Sequence, residues 1–195
     1  MPVKATVIGC GVMGLSSAIR LIESGFEVRI IAKSLPPNTT SDTAGAIWYP
    51  YHCLPEAKAL VWGRLSLECF YELMGQSETG VFPVQFIEYL PENSPDPWWK
   101  SAVKKFSRLN PEDIPGIYKD GYLFEVPFID TSLYMKWLMN HFKKLGGSIR
   151  QARLSSITQA GKGSDFIINC SGSGAKTLVG DESVYPVQGQ VIKAI

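Results

Sequence analysis

Between Lys4 and Lys33 the apolar and polar positions fall into three blocks. Lys4-Ala5-Thr6-Val7-Ile8 is short, apolar and β-branched, the pattern of a parallel strand buried on both faces. It breaks at Gly9-Cys10-Gly11-Val12-Met13-Gly14. From there Leu15, Ala18, Ile19 and Ile22 recur at helical spacing, with Leu21 at the edge of the same face. Gly25 falls where a helix C′ residue is expected, and Phe26-Glu27-Val28-Arg29-Ile30-Ile31-Ala32 reads as a second apolar strand.

Regularity then lapses. Ser34 to Tyr51 is a long irregular stretch of hydroxyls and small residues ending in Trp48 and two tyrosines, too rich in aromatics for disorder. Thr39, Thr40 and Ser41 offer hydroxyl and amide donors, and Ala44-Gly45-Ala46 lets backbone pass close to a flat ring. An Ω-loop whose aromatics are only core is the competing reading. Pro55 to Met74 is helical, with Leu60, Arg64, Leu67, Tyr71 and Met74 at repeating spacings. Val81 to Leu90 reads as a strand whose Pro83 argues for an edge or a bulge. Trp98 to Lys105 reads as a short helix, Asn110 to Gly121 as irregular, and Leu123 to Ile129 as a strand. Asp130 or Thr131 caps a helix over 132–145, with Tyr134, Trp137, Leu138, Phe142 and Leu145 on its apolar face. Asp165 to Cys170 is an apolar strand running into Ser171-Gly172-Ser173-Gly174, and Pro186 to Ile195 is strand-like.

The glycines carry the first chemistry. Gly9 permits a tight turn out of the strand, Gly11 leaves the backbone open to a pyrophosphate, and Gly14 lets the helix pack closely on the sheet. Unpaired N–H groups at the positive end of the helix dipole suit a phosphate pair. G-x-G-x-x-G is common by itself, but between a strand and a helix it points to a dinucleotide. The second strand should end in an acid that bonds the ribose hydroxyls; here Lys33 and Ser34 stand there. A lysine that grips a 2′-phosphate implies NADP; a ribose contacted by backbone and neighbouring side chains implies FAD. The glycines do not choose between them. A second small-residue turn at Ser171 and Gly172 fits a cofactor lying across two strands, or a plain glycine loop.

Composition removes other classes. A length of 195 residues holds one sizeable core, or a domain with a large insertion. A net charge of +1 with 19% charged residues gives nothing to attract nucleic acid. No apolar run is long enough for a membrane span, and the chain runs straight into a strand with no signal peptide. The four cysteines form no CxxC pair and read as reduced thiols, Cys10 and Cys170 filling small core spaces. His52 and His141 lack metal-ligand spacing, so no metal is expected.

Three motifs together resemble the D-amino-acid oxidase family, which includes D-aspartate oxidases: Val7 to Ser16, Thr39 to Trp48, and Asn169-Cys170-Ser171-Gly172 with Val187-Gln188-Gly189-Gln190-Val191. Asp96-Pro97-Trp98-Trp99-Lys100 and the helix from Tyr134 to Leu138 add to the likeness. The resemblance implies FAD, hydride transfer from Cα of a D-amino acid to the flavin, and reoxidation by O₂ to peroxide. It implies an α/β fold: a Rossmann-like FAD domain over residues 1–75 and 131–180, interrupted by part of a mixed-sheet substrate domain over 76–130 and 181–195. Gly9, Gly11, Val12, Met13 and Gly14 would hold the pyrophosphate, and Lys33 and Ser34 would lie by the ribose. Thr39, Thr40 and Ser41 would meet phosphate or ribityl oxygens. Gly45, Ala46 and Ile47 would lie near the isoalloxazine, Leu154 by the adenine, and Ser171 and Gly172 along the groove. Ile47 and Tyr49 would face substrate.

Two departures stand out. Lys33 replaces the acid of animal members, as in fungal ones, and Gly45-Ala46 replaces the common Ala-Gly. The family's carboxylate-clamping Arg and its Tyr belong beyond residue 195, so these 195 residues alone are expected to be catalytically silent. An NADP-dependent oxidoreductase and a non-catalytic flavin-binding fragment are the competing readings. The substrate reads as a neutral D-amino acid from Ile47 to Tyr51, although 169–172 and 186–191 look more like the aspartate branch. A homodimer is compatible with the resemblance and not specified by the residues. The expected location is cytoplasmic, or peroxisomal for a eukaryotic form with a C-terminal signal; Lys193-Ala194-Ile195 is not one.

Overall fold

The computed structural model describes residues 1–50, 53–186 and 189. In chain order the elements are β1 (Lys4–Ile8), α1 (Val12–Glu23), β2 (Glu27–Ala32), β3 (Ala46–Ile47), α2 (Glu56–Leu73) and β4 (Val81–Leu90). They continue as β5 (Lys104–Arg108), β6 (Asp120–Ile129), α3 (Thr131–Lys144), β7 (Ser148–Gln151), β8 (Phe166–Asn169) and the single-turn α4 (Ala175–Leu178). The chain divides into two compact units, Met1–Gly45 with Thr131–Ile195, and Ala46–Asp130. This boundary differs from the expected one. Residues 46–75 go with the second unit because Leu67 of α2 is buried beside Trp48, Trp99 and Phe124, and 181–186 go with the first.

The first unit is a four-stranded parallel sheet in the order β7-β2-β1-β8. β1 and β2 are buried along nearly their whole length, as the unbroken apolar runs require. Gly14, Leu15, Ala18 and Ile19 form the buried stripe of α1, and Tyr134, Met135, Leu138 and Phe142 that of α3. Trp137 is only half-buried and stacks on His141, with ring centroids 5.1 Å apart. Thr6 is the polar exception inside β1. Its hydroxyl lies 2.5 Å from Ser164 Oγ and accepts from Arg29 Nε at 2.8 Å. Arg29 donates further to the carbonyls of Ala160 and Lys162. A half-buried guanidinium is held by such partners, and these fasten the 157–164 segment to the strands.

The second unit is antiparallel. β6 pairs along ten residues with β4, and its other edge carries β5 and β3. Pro83 lies opposite Pro127. Two prolines face each other only at a pair exchanging no N–H bonds, so among the described residues Pro83 turns its missing donor to the open edge, as its place in the sequence suggests. Trp98 to Lys105 does not form the expected helix: Lys100–Ala102 is one 3-10 turn, and β5 follows at once with a bulge between Lys104 and Ser107. β6 begins at Asp120, three residues before the expected start. The strand-like run 186–195 lies outside the described residues except at 186 and 189.

Arg108 ties the 91–100 loop to this sheet, pairing with Asp120 and with Asp96 at 2.8 Å and donating to the Ser94 carbonyl at 2.7 Å. Hydrogen bonds from Lys100 and Arg108 hold the Asp96 carboxyl below the usual range. Burial pushes Asp120 up, but the bonds from Arg108 and from the amides of Ser94 and Gly121 outweigh it, so this carboxyl too is lowered. Stability from both carboxylates is therefore complete above the ordinary value of 3.8 and is lost as pH falls below it, through the lowered folded values. Asp120→Asn is expected to lower the urea midpoint at pH 7 and to flatten the loss of structure below about pH 4, followed by circular dichroism. Parallel acid profiles for the two chains would show that Asp120 does not carry this linkage.

Candidate functional site

The strands of the parallel sheet all end at one edge, and the sequence-predicted site residues of the first unit's glycine turn and strand ends gather there. Gly9 to Gly11 follow β1, Lys33 and Ser34 follow β2, Leu154 follows β7, and Cys170 to Gly172 follow β8. β1 lies between β2 and β8, so the order of strands reverses beside it. That is the crevice where open α/β sheets take ligands.

Two glycines are fixed by contact. Gly9 has φ +109°, and a Cβ there would lie 2.2 Å from the Cys170 carbonyl oxygen. A Cβ on Gly14 would lie 2.0 Å from the Gly9 carbonyl oxygen. The turn out of β1, the start of β8's loop and the first turn of α1 therefore touch backbone to backbone. Gly11 differs: the nearest atom to its missing Cβ is the Ser41 hydroxyl, at 3.0 Å. No acidic residue stands in the first turn of α1, and Met13 is exposed there.

The 39–44 segment reaches the same place. Thr40–Thr43 is a 3-10 turn opened by a reciprocal cap, with Thr39 N–H and Oγ–H donating to Asp42 Oδ2 at 2.8 and 2.6 Å. The Val12 N–H donates to Ser41 Oγ at 3.0 Å. Thr131 Oγ donates to the carbonyl of Ala44 at 2.9 Å, with Asp42 O at 3.3 Å. Sequence reasoning named Ser41 but passed over Asp42 and Thr131 as site residues. The spacing Thr-x-x-Asp was a readable signal for the first; nothing in the sequence points from Thr131 to a loop 87 residues away.

At the end of β2, Lys33 is exposed, and its carbonyl accepts from Gln151 Nε2 at 3.2 Å. Leu154 packs half-buried against Ile8 and Ile31, and Ala152 N–H donates to the Ala32 carbonyl at 2.9 Å. Lys33 and Leu154 thus flank the end of β2. Asn169 Oδ1 accepts from both the Ser171 amide and hydroxyl, which shapes the turn that leaves Gly172 open. Burial, with the Asp42 carboxylate adding to it and Lys143 opposing, pushes the Cys10 thiol up to about 11. Burial likewise raises Cys170, against the Ser17 hydroxyl. Both thiols stay neutral at pH 7 and set no thiolate against a phosphate pair.

The remaining expected residues lie elsewhere. Gly45 ends the first unit's opening segment, and Ala46 and Ile47 form β3 of the second unit. Tyr49 packs its ring in that unit's core, with centroids 5.4 Å from Trp99 and 6.4 Å from Phe124, and donates its hydroxyl to Glu88 Oε1 at 2.8 Å. Trp48 is buried and donates Nε1–H to the Gly63 carbonyl at 2.8 Å. Trp48 and Tyr49 thus belong to the second unit's core, and Tyr51 lies outside the described residues.

The edge fits an ADP-type pyrophosphate. It offers backbone left open at Gly11, a turn whose close packing side chains at Gly9 and Gly14 would break, helix amides without intrahelical acceptors, the Ser41 hydroxyl, and no carboxylate in the first turn. Among the described residues no His, Cys, Asp and Glu cluster of metal-binding composition exists, and no helix is long and apolar enough to cross a membrane.

Known proteins are similar to this chain. A D-amino-acid oxidase of Rubrobacter xylanophilus is 40% identical over 191 residues, 97% of this chain and 59% of its own. One from Dictyostelium discoideum is 37% identical over 195 residues, 97% of this chain and 56% of its own. The chain therefore spans rather more than half the length of these relatives. Among solved structures it resembles an L-amino acid deaminase from Proteus vulgaris, with TM-score 0.70 and 17% identity, covering 94% of this chain and 50% of that one. It also resembles an L-proline dehydrogenase from P. horikoshii, with TM-score 0.68 and 15% identity, covering 93% and 57%. At such identities these structures speak for the fold alone. The model of the DAO family, described as FAD dependent oxidoreductase, matches residues 4–194, so the cofactor that Lys33 left open between NADP and FAD is FAD in this family, and the chain belongs to it.

Proposed function

We propose that these 195 residues form the FAD-holding part of a D-amino-acid oxidase acting on a neutral D-amino acid. One observation carries the reading: the two motifs that resemble the family, the glycine turn and the Thr39–Trp48 segment, meet at the hydrogen bond from Val12 N–H to Ser41 Oγ. The identity to D-amino-acid oxidases over 97% of the chain supports the substrate class. FAD held here would supply the two-electron acceptor for the Cα hydride and return those electrons to O₂ as peroxide, leaving an imino acid that water hydrolyses to the 2-oxo acid and ammonia.

The chain's own residues bind and orient. Backbone at Gly9, Gly11 and Gly14 admits the phosphates, the amides of Met13 and its neighbours donate to them, and Thr40 and Ser41 close the site from the loop side. Lys33, Ser34 and Leu154 border the adenosine end. Titration with FAD at micromolar concentration is expected to saturate and to shift the flavin spectrum, whereas NADP is not retained. A chain that stays colourless and takes up no FAD overturns the reading. In a peroxide-coupled assay the chain alone is expected to stay at background with D-alanine and D-aspartate, because the resemblance puts the carboxylate-clamping Arg outside residues 1–195. Rapid turnover would overturn that division of labour.

A further inference from the structure

We infer that Thr131 is a positioning residue for the phosphate site, acting without touching the cofactor. The inference rests on the FAD reading for its consequence, though not for its geometry. Thr131 is the first residue of α3, and its hydroxyl donates to the Ala44 carbonyl at 2.9 Å, with Asp42 O at 3.3 Å. Both acceptors belong to the loop that carries Ser41, and Asp42 holds the other end of that loop through Thr39.

Ser41 is a half-buried side chain on a 3-10 turn outside any strand or α-helix, and its Oγ accepts the Val12 N–H at 3.0 Å and meets the open side of Gly11 at 3.0 Å. A hydroxyl that accepts through a lone pair keeps its own proton free to donate. Ser41 can therefore take the first helical N–H and present an O–H towards an anion at the turn. That requires the loop to be held in register. Thr131 supplies this by fixing the carbonyls at 42 and 44, on either side of the turn's last residue. The linkage runs from the α3 N-terminus through two loop carbonyls to Ser41 and on to the α1 N-terminus. It lies wholly within the first unit.

Thr131→Val keeps the shape and removes the donor; Thr131→Ser keeps the donor. The Val variant is expected to weaken FAD and ADP, which shares the pyrophosphate, about five-fold each, as loss of one hydrogen bond implies. The Ser variant should stay within about two-fold of the parent. Hydrogen exchange of the ligand-free chain gives a readout independent of any cofactor. The Val12 amide is expected to lose protection in the Val variant and keep it in the Ser variant, while the Leu15 amide, bonded to Gly11 O, is unchanged. In a Ser41→Ala background Thr131→Val should have little further effect, since both act through one linkage.

Val12 protection and ADP affinity unchanged in Thr131→Val would overturn the inference, as would strictly additive effects with Ser41→Ala. Should Thr131→Val not fold, the Ser variant and Ser41→Ala decide: Ser41→Ala must expose Val12 and the Ser variant must not. If the parent chain binds no FAD, the flavin reading fails by itself, and Val12 exchange still judges Thr131.

Discussion

Gly14→Ala is expected to unfold the first unit at markedly lower urea and to lower FAD affinity about a hundred-fold. A Cβ at 14 would sit 2.0 Å from the carbonyl oxygen of Gly9, a backbone atom that cannot rotate away. Gly9 in turn is held by its own N–H to Ile31 O at 2.9 Å, and by the close approach of its Cα to the Cys170 carbonyl. Relief requires α1 to move off the end of β1, which loses burial of Leu15 and Ala18 and carries the helix amides away from the phosphates. Overpacking of this kind costs about 3 kcal/mol, the equivalent of roughly two decades in a binding constant. Gly116→Ala is the control: that glycine is exposed with nothing within 4 Å of a built Cβ, so its effect should stay within about 0.5 kcal/mol. Urea unfolding and FAD titration on the three chains measure the difference. Equal midpoints for Gly14→Ala and the parent would mean that the helix does not pack on the turn as described.

Phe124→Ala carries the second large effect, in the other unit. Phe124 is fully buried on β6, with ring centroids 4.8 Å from Trp99, 5.3 Å from Phe86 and 6.4 Å from Tyr49 and Phe106. Removing it leaves a cavity lined by rigid rings that cannot collapse, and truncating a buried Phe costs about 3–5 kcal/mol. Trp48 and Trp99 lie in the same cluster, so their fluorescence should shift to the red at urea concentrations where the parent is unchanged. Hydrogen exchange along β4 and β6 should accelerate together, since their ten-residue ladder forms one cooperative element. Phe124→Leu, which refills most of the volume, is expected to lose no more than about 1.5 kcal/mol. If Phe124→Ala unfolds at the parent's midpoint, this cluster is not what holds the second unit together.

Much of the first unit was legible because its signals are local. A buried parallel strand needs a mainly apolar run, and β1 and β2 have one, broken only at Thr6 and Arg29; β8 has one too, although it is half-buried. An amphipathic helix needs an apolar stripe, and Leu15, Ala18 and Ile19 supply it. The glycine turn was legible for a harder reason: Gly9 and Gly14 are forced by backbone contact, and no other residue satisfies that contact. The second unit was read less well. β5 looked like the end of a helix because Trp98, Trp99, Ala102 and Val103 are apolar at mixed spacing. What makes it a strand is pairing with β6 across a bulge, with Trp99 and Phe106 buried against Phe124. The domain boundary fell at 45 rather than 75 because the apolar face of α2 suits a sheet of either unit, and only packing selects one.

The amino-acid order by itself determined the strand–turn–helix–strand opening and the glycine turn, since both depend on residues within a few positions of one another, and it carried the family likeness through three motifs that are each local. Tertiary structure alone decided which distant groups complete the edge, Ser41 against Val12 and Thr131 against Ala44, and, within the second unit, that Tyr49 turns to Glu88. Side-chain hydroxyls and amides have no periodicity to announce their partners. Their bonds are settled by where the backbone brings them, and only after the strands and helices have buried their apolar faces.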